Sequence, residues 1–250
     1  MSRTRFAAFS TLTFDVVGTL IDFETGILDW FRPLLAGHGA ARADEEILCQ
    51  FALYEDRYQQ RAPDKPFTQM LPLICRDMAE NWGLALTSDQ AEAFRRSIRS
   101  WPAFADAVSS LQQLHKRYRL VAVTNADAWA LQYMSATLGN PFDEQITCDE
   151  VGVNKPSPRV FDHVLAKLAP SGIAKADVLH VAQSQYHDIV PATAHGFATM
   201  WIERRHGRPG FGATPEPVQT AVPTFHAVSM ADFVNQVFDC RVIRRKTETR

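Results

Sequence analysis

The chain has 250 residues and a formal net charge of -2, with 46% hydrophobic and 22% charged residues. That composition is ordinary for a globular protein. The length suits one large domain, or a core with a smaller insert, that buries its own apolar surface without metals or disulfides. The near-neutral balance excludes a surface built for nucleic acid or an anionic membrane, and no apolar run is long enough to span a bilayer.

Four cysteines, Cys49, Cys75, Cys148 and Cys240, are far apart and lack metal-ligand spacing, so reduced thiols in a cytoplasmic protein are expected. The basic start, Met1 to Phe6, runs into Ser10-Thr-Leu-Thr-Phe-Asp rather than a long apolar segment, unlike a secretory signal. The basic end, Arg241 to Arg250, reads as a frayed tail.

In chain order, Leu12 to Val16 reads as a short strand broken by Gly18-Thr19. From Thr25 to about His38, apolar residues recur at helical spacing: Ile27, Leu28, Trp30, Phe31, Leu34, Leu35. Helices follow from about Ala43 to Arg99, interrupted at Pro63-Asp-Lys-Pro66, with no strand between Asp22 and Arg99. Trp101-Pro102 ends this helical block, and a helix is predicted from Ala103 to Tyr118. Leu120-Val-Ala-Val-Thr-Asn reads as a buried parallel strand and Gln145 to Cys148 as a weaker one. A helix over Arg159–Leu168, strands at Val178–Ala182 and Ala198–Ile202, and a Gly- and Pro-containing loop over Arg204–Pro223 complete the reading. Strands alternating with helices predict an α/β protein with a parallel sheet.

Sites in such sheets form beyond the carboxyl ends of the strands. Polar residues stand at those ends: Asp15 and Thr19, then Thr124 and Asn125, then Lys155, then Gln183, Ser184, Gln185 and Asp188. Each has an ordinary reading too: Asp15 and Asp188 as helix caps, Thr124-Asn125 as a turn, Lys155 as a solvated side chain. Together they predict a charge cluster. Lys155 would neutralise Asp15 and hold one oxygen, Thr19, Thr124 and Asn125 would donate hydrogen bonds, and Asp188 would hold a water. A fixed carboxylate facing a bound electrophile attacks as if intramolecularly and forms an ester, which water then opens.

Asp15-x-x-x-Thr19-Leu20, Thr124-Asn125, Lys155-Pro156 and Gln183-Ser184-x-x-x-Asp188 resemble, in order, the four motifs of the haloacid dehalogenase superfamily. The resemblance implies a Rossmann-like core formed by residues 1–22 and 103–250, with a helical cap, residues 23–102, inserted after the first motif. Phosphatases of the superfamily resemble Asp-x-Asp-x-Thr, whose second Asp is a general acid and helps hold Mg²⁺; here that position is Val17. Their fourth motif begins with an acidic metal ligand, here Gln183. The magnesium-dependent phosphonate-cleaving branch needs a cap lysine, and only Lys65 lies between Asp22 and Arg99.

The chain instead resembles the 2-haloacid dehalogenases that work without metal or cofactor. That resemblance implies Asp15 as nucleophile in an SN2 displacement, oriented by Thr19 and Lys155, with Asp188 supporting the hydrolytic water. Thr124 and Asn125 would line the substrate pocket, and Gln183, Ser184 and Gln185 would position water. The segment Gly196–Ile202 with Arg204 also looks like this family. The sequence departs from it at Gln183-x-Gln185, where the family has Ser-x-Asn, and at Phe161, where it has an aromatic hydroxyl. The family's cap arginine aligns near Tyr58, leaving Arg57 and Arg61, four residues apart on one helix face, as candidates to grip the substrate. The alternative for both is a solvated pair with Glu55 or Asp56. His187 reads as a base, a halide contact or a packing residue. Trp30, Tyr54, Phe67 and Trp82 read as pocket wall or core.

The expected partner is a small-molecule carboxylate, with neither nucleic acid nor membrane involved, and a homodimer is a common state in this family. Alternatives are a different leaving group at C2, such as the ring amine of azetidine-2-carboxylate, a Mg²⁺-dependent phosphatase, or a non-catalytic ligand-binding relative.

Overall fold

The computed structural model describes residues 5–238. The basic C-terminal segment and Cys240 therefore lie outside the described residues. Cys49, Cys75 and Cys148 are free thiols.

Six strands form one parallel sheet: β1 (Thr11–Phe14), β2 (Arg119–Thr124), β3 (Glu144–Thr147), β4 (Val178–Ala182), β5 (Ala198–Ile202) and β6 (Phe225–Ala227). Their order is β3-β2-β1-β4-β5-β6. The order reverses direction at β1, which makes the carboxyl end of that strand a topological switch point. The central strands are apolar runs because both faces are covered. Alternation sorts their side chains: Leu120, Ala122, Leu179 and Val181 face one apolar cluster, and Val121, Val123 and Val178 face another.

Between β1 and β2 lies the helical cap, formed by α1 (Phe23–Gly37), α2 (Asp44–Arg61), α3 (Phe67–Asn81) and α4 (Ser88–Ser97). Asp22 caps α1 by accepting from the Thr25 amide at 3.1 Å. Phe31, Phe51, Phe67, Phe94 and Trp101 interlock inside the cap with ring centroids 5.3–6.4 Å apart. The α1 helix approaches Trp101 at Gly26, where a Cβ would come within 2.4 Å of the indole ring. The chain leaves and re-enters the sheet region through two adjacent segments. The Asp22 amide donates to Pro102 O at 2.8 Å and the Phe104 amide to Leu20 O at 3.0 Å.

Beyond β1, the remaining helices are α5 (Ala107–Leu114), α6 (Ala128–Thr137), α7 (Cys148–Val151), α8 (Pro158–Leu168), α9 (Val190–Ala194) and α10 (Met230–Phe238). Several differ from expectation. The helix predicted over 103–118 is confined to 107–114, because Ala103 and Phe104 are used in the return crossing. Helix α6 had no clear periodic signal; Asp127 starts it by capping the Ala130 amide at 3.0 Å. Cys148 opens α7 instead of ending β3. The short strand β6 and α10 follow the loop that the sequence does mark at Arg204–Pro223. Among the described residues, no helix is long and apolar enough to cross a membrane.

Candidate active site

Phe14 ends β1 in the sheet, and the next residue carries the carboxylate. The Asp15 amide still donates to Val181 O at 3.1 Å, so its backbone is fixed by β4. The chain then turns sharply. Gly18 has φ of +88° and its amide bonds Ile21 O at 2.9 Å, a conformation glycine adopts without the penalty other residues meet. The turn brings Thr19 back under Asp15. Thr19 Oγ1 donates to Asp15 Oδ2 at 2.7 Å and accepts from the Gln183 amide at 2.8 Å. Because that hydroxyl has one proton, accepting from Gln183 aims it at Asp15.

Lys155 arrives from the loop before α8 and is 1% exposed. Its Nζ donates to Asp15 Oδ1 at 2.8 Å, to Asp188 Oδ1 at 2.7 Å and to Val123 O at 2.9 Å. All three ammonium donors are therefore used. Asn125 fixes the lysine backbone reciprocally: its Nδ2 donates to Lys155 O at 3.0 Å and its Oδ1 accepts from the Lys155 amide at 2.7 Å. Thr124 Oγ1 is occupied by the Ala126 amide at 3.1 Å. Asp188 lies in a single π-helical turn, Gln185–Ile189, after β4. Its Oδ1 also contacts His180 Nε2 at 2.9 Å, and His180 Nδ1 contacts Thr13 Oγ1 at 2.9 Å. Thr13 and His180 are register partners on β1 and β4, so the sheet itself sets this support.

Two buried carboxylates share one ammonium, and their surroundings push them apart. Burial raises Asp188, but the Lys155 charge and the His180 and Lys155 hydrogen bonds outweigh it and hold it at about 2. Asp15 has fewer charged partners. Burial raises it, Lys155 opposes, the Asp188 charge adds to the rise, and the net direction is upward. Burial would lower Lys155, but the charges of Asp15 and Asp188 overcome it and raise it.

These groups line a pocket with Val17, Phe23, Phe67, Thr124, Asn125, Gln183, Ser184 and His187. Its volume is about 30 Å³, room for two or three ordered waters at roughly 10–15 Å³ each. The sequence-predicted Asp15, Thr19, Thr124, Asn125, Lys155, Gln183, Ser184 and Asp188 are thus brought together, Thr19 from beneath the carboxylate.

Four other candidates are not brought there. The Gln185 side chain turns away and accepts from the Ala221 amide at 3.1 Å. Arg57 and Arg61 are exposed, and the Arg57 guanidinium lies 4.8 Å over the Tyr54 ring. Tyr58 donates to Asp77 Oδ2 at 2.9 Å, toward α3. The reason is helical geometry. The face of α2 that reaches the pocket carries Leu48, Phe51, Ala52, Glu55 and Gln59, all buried; residue 57 is rotated by about 200° from residue 55.

What α2 delivers instead is Glu55, which lines the pocket and is 5% exposed. Gln59 Nε2 donates to Glu55 Oε1 at 2.9 Å. Gln59 Oε1 contacts His187 Nε2 at 2.8 Å, and His187 Nδ1 contacts Ser184 Oγ at 3.2 Å. A neutral histidine carrying its proton on Nε2 satisfies the whole chain. Burial lowers His187 to about 4, with Asp188 opposing and Lys155 adding to the fall. Burial also pushes Glu55 up to about 8, reinforced by Asp56 and Asp15. Of the aromatic candidates, Phe67 lines the pocket, while Trp82 Nε1 donates to Gln50 Oε1 within the cap. Arg204 holds the turn from outside, donating to Thr19 O at 3.0 Å and to Asp106 Oδ1 at 2.8 Å.

A sequence profile of the hydrolase family described as haloacid dehalogenase-like hydrolase matches residues 9–196, which include all four motifs. The chain belongs to the haloacid dehalogenase-like hydrolases. The L-2-haloacid dehalogenase of Xanthobacter autotrophicus with chloropropionic acid covalently bound superposes on this hydrolase with a TM-score of 0.75. The two are 20% identical, and the match covers 93% of this chain and 99% of that one. The HAD-hydrolase YfnB of Bacillus subtilis, solved with magnesium bound, gives 0.72 at 17% identity, over 92% and 98% of the two chains. At such identities the likeness shows the shared fold alone. Among curated sequences, phosphoserine phosphatase of Thermus thermophilus is 29% identical over 117 residues, 46% of each chain. Pyrimidine 5'-nucleotidase YjjG of Escherichia coli is 30% identical over 112 residues, 44% of this chain and 48% of that one. The matched segment spans about half the length of each curated relative.

Magnesium is the group this hydrolase family implies, and the residues here do not fit it. A hard cation takes several carboxylate, carbonyl or water oxygens. Both oxygens of Asp15 already receive donors, and the Lys155 ammonium stands between Asp15 and Asp188. Position 17 is valine, and Gln183 Oε1 accepts from Thr214 Oγ1 at 3.3 Å. Among the described residues, no group of three His, Cys, Asp or Glu is arranged to hold a metal.

Proposed function

We propose that this hydrolase converts a small 2-haloalkanoic acid to the 2-hydroxy acid through an aspartyl ester on Asp15. The observation that carries the reading is the fixed Asp15 carboxylate with a valine two residues on, where a phosphatase would present its acid. Asp15 attacks C2, the carbon–halogen bond breaks, and halide leaves with the electron pair. Lys155 and Thr19 hold the carboxylate in line. That positioning lowers the barrier by up to roughly 7–11 kcal/mol when the reacting atoms are in near-attack geometry.

Ester hydrolysis follows from the other side of the cluster. Asp188 Oδ2 is buried with no hydrogen-bond partner among the described residues. It is the acceptor for a water that attacks the ester carbonyl of Asp15, while the hydroxy acid departs and the carboxylate is regenerated. Asn125 acts through the Lys155 backbone, and Gln183 and Ser184 border the water's position. In this reading the described residues 5–22 and 103–238 supply the chemical core, and residues 23–102 the cap over it. The acid is small because the pocket is small.

The curated phosphatase and nucleotidase relatives favour a second reading, a phosphomonoesterase. It requires an acid and a metal site that Val17 and Gln183 do not provide. The two readings separate in one experiment: halide release from chloroacetate and 2-chloropropionate, and release of phosphate from a generic phosphomonoester, each with and without chelator. Halide release insensitive to chelator supports dehalogenation. Chelator-sensitive phosphate release with no halide supports the phosphatase. Asp15→Asn abolishes turnover while preserving the fold; full activity in that variant refutes the aspartyl ester.

A further inference from the structure

The pocket opposes Asp15 with a carboxyl group from the cap that the halide reaction does not require. Glu55 is presented by the inner face of α2, and its position is fixed by a hydrogen-bonded chain reaching into the core: Ser184, His187, Gln59, Glu55. A second bond fastens the same helix, from Tyr186 Oη to Asp56 Oδ1 at 3.0 Å. Within the chain Gln59 donates to Oε1. Oε2 has no hydrogen-bond partner among the described residues and is the oxygen left for a bound molecule.

We propose that Glu55 is a general acid, protonating the departing atom as Asp15 attacks, and that strained oxygen rings beside a carboxylate therefore belong to the substrate class. The proposal rests on the aspartyl-ester reading and extends it. Halide is a weak base and leaves without a proton. A ring oxygen leaves as an alkoxide and needs one. The pocket has no arginine and its lysine is fully engaged, so Glu55 is the group placed to supply it.

The step balances. Asp15 forms a bond to the ring carbon next to the carboxylate, the carbon–oxygen bond breaks, and its electron pair goes to oxygen, which takes the Glu55 proton. Water then cleaves the ester, releases the diol acid, and returns a proton to Glu55.

The protonated form is the one the surroundings favour at neutral pH. Facing Glu55 are Asp56 on its own helix, Asp15 at the end of β1, and neutral His187 and Tyr186 from the turn after β4. Phe23 and Phe67 close the apolar sides. Two like charges and burial hold the carboxyl at about 8, near the value a general acid needs for work at neutral pH.

The test compares oxirane-2-carboxylate with 2-chloropropionate in the full-length protein and in Glu55→Gln, from pH 6 to 10. The wild type should open the ring, with kcat/KM falling above about pH 8. In Glu55→Gln the ratio of ring opening to halide release should drop by about 10²–10⁴, with no alkaline fall in the residual ring opening. Two results overturn the proposal: no ring opening by the wild type at any pH, or an unchanged ratio in the variant, whether both activities persist or both fall equally. Asp15→Asn separates the two readings. Turnover that survives it refutes the ester, whereas ring opening undiminished relative to halide release in Glu55→Gln refutes only the acid.

Discussion

Glu55 makes a thermodynamic prediction that needs no substrate. Below about pH 4.5 its carboxyl is protonated whether the chain is folded or not. Between 4.5 and about 8 the folded protein retains a proton that the unfolded chain has released, so stability falls as pH rises. Above about 8 the folded carboxyl ionises too and the loss is complete. At about 1.4 kcal/mol per pH unit, a rise from 4.5 to about 8 amounts to about 5 kcal/mol at most. Glu55→Gln keeps the shape and the Gln59 contact but cannot ionise. It should match the wild type at pH 4 and become more stable than it by several kcal/mol at pH 9. Urea denaturation at both pH values checks this, because the difference between the two proteins cancels every other titrating group. A difference in stability that does not change with pH refutes the assignment of a buried, protonated Glu55.

His187 makes the opposite prediction: lowered to about 4 in the folded state, it costs stability as pH falls from about 6.5, and its ring resonances should titrate near 4 by NMR. Lys155→Met leaves Asp15 and Asp188 buried without their shared cation; activity should vanish, and stability at pH 7 should drop by about 3–5 kcal/mol, partly recovered at acid pH where one carboxylate takes up a proton. Gly26→Ala places a methyl against the Trp101 ring, and overpacking of about 1–3 kcal/mol should lower Tm without changing the pH profile of turnover.

Five of the six strands, without their order in the sheet, and the main polar residues are legible in local sequence signals. Val121–Val123 and Val178–Ala182 announce buried parallel strands; Asp15 follows β1 and Asp188 lies shortly after β4, whereas Lys155 stands in the loop before α8. The cap contribution was legible in pattern but read on the wrong face. Leu48, Phe51 and Ala52 define the buried stripe of α2, and the same spacing continues to Glu55 and Gln59. Arg57 and Arg61, the cations expected to grip the substrate, are a pair that helical spacing rotates to solvent. His180 carried a signal as well: a histidine inside a wholly apolar strand must find a partner, and Asp188 and Thr13 supply it. Nothing local marks the Asn125 bonds to the Lys155 backbone, which join residues 30 apart. The same holds for His187 and Gln59, 128 apart. Such contacts exist only after the sheet is assembled.

The two crossings beside β1 have a consequence for how this architecture diversifies. Because Leu20–Asp22 and Pro102–Phe104 run side by side and bond to each other, the inserted helices begin and end at nearly the same point. A helical block of different length can replace them without altering the spacing of β1 from its neighbours. Asp15, the proposed nucleophile, stays with the sheet, whereas the carboxyl at Glu55 travels with the insert. On the proposed mechanism, exchange at that junction changes which bond is broken while leaving the attacking group untouched.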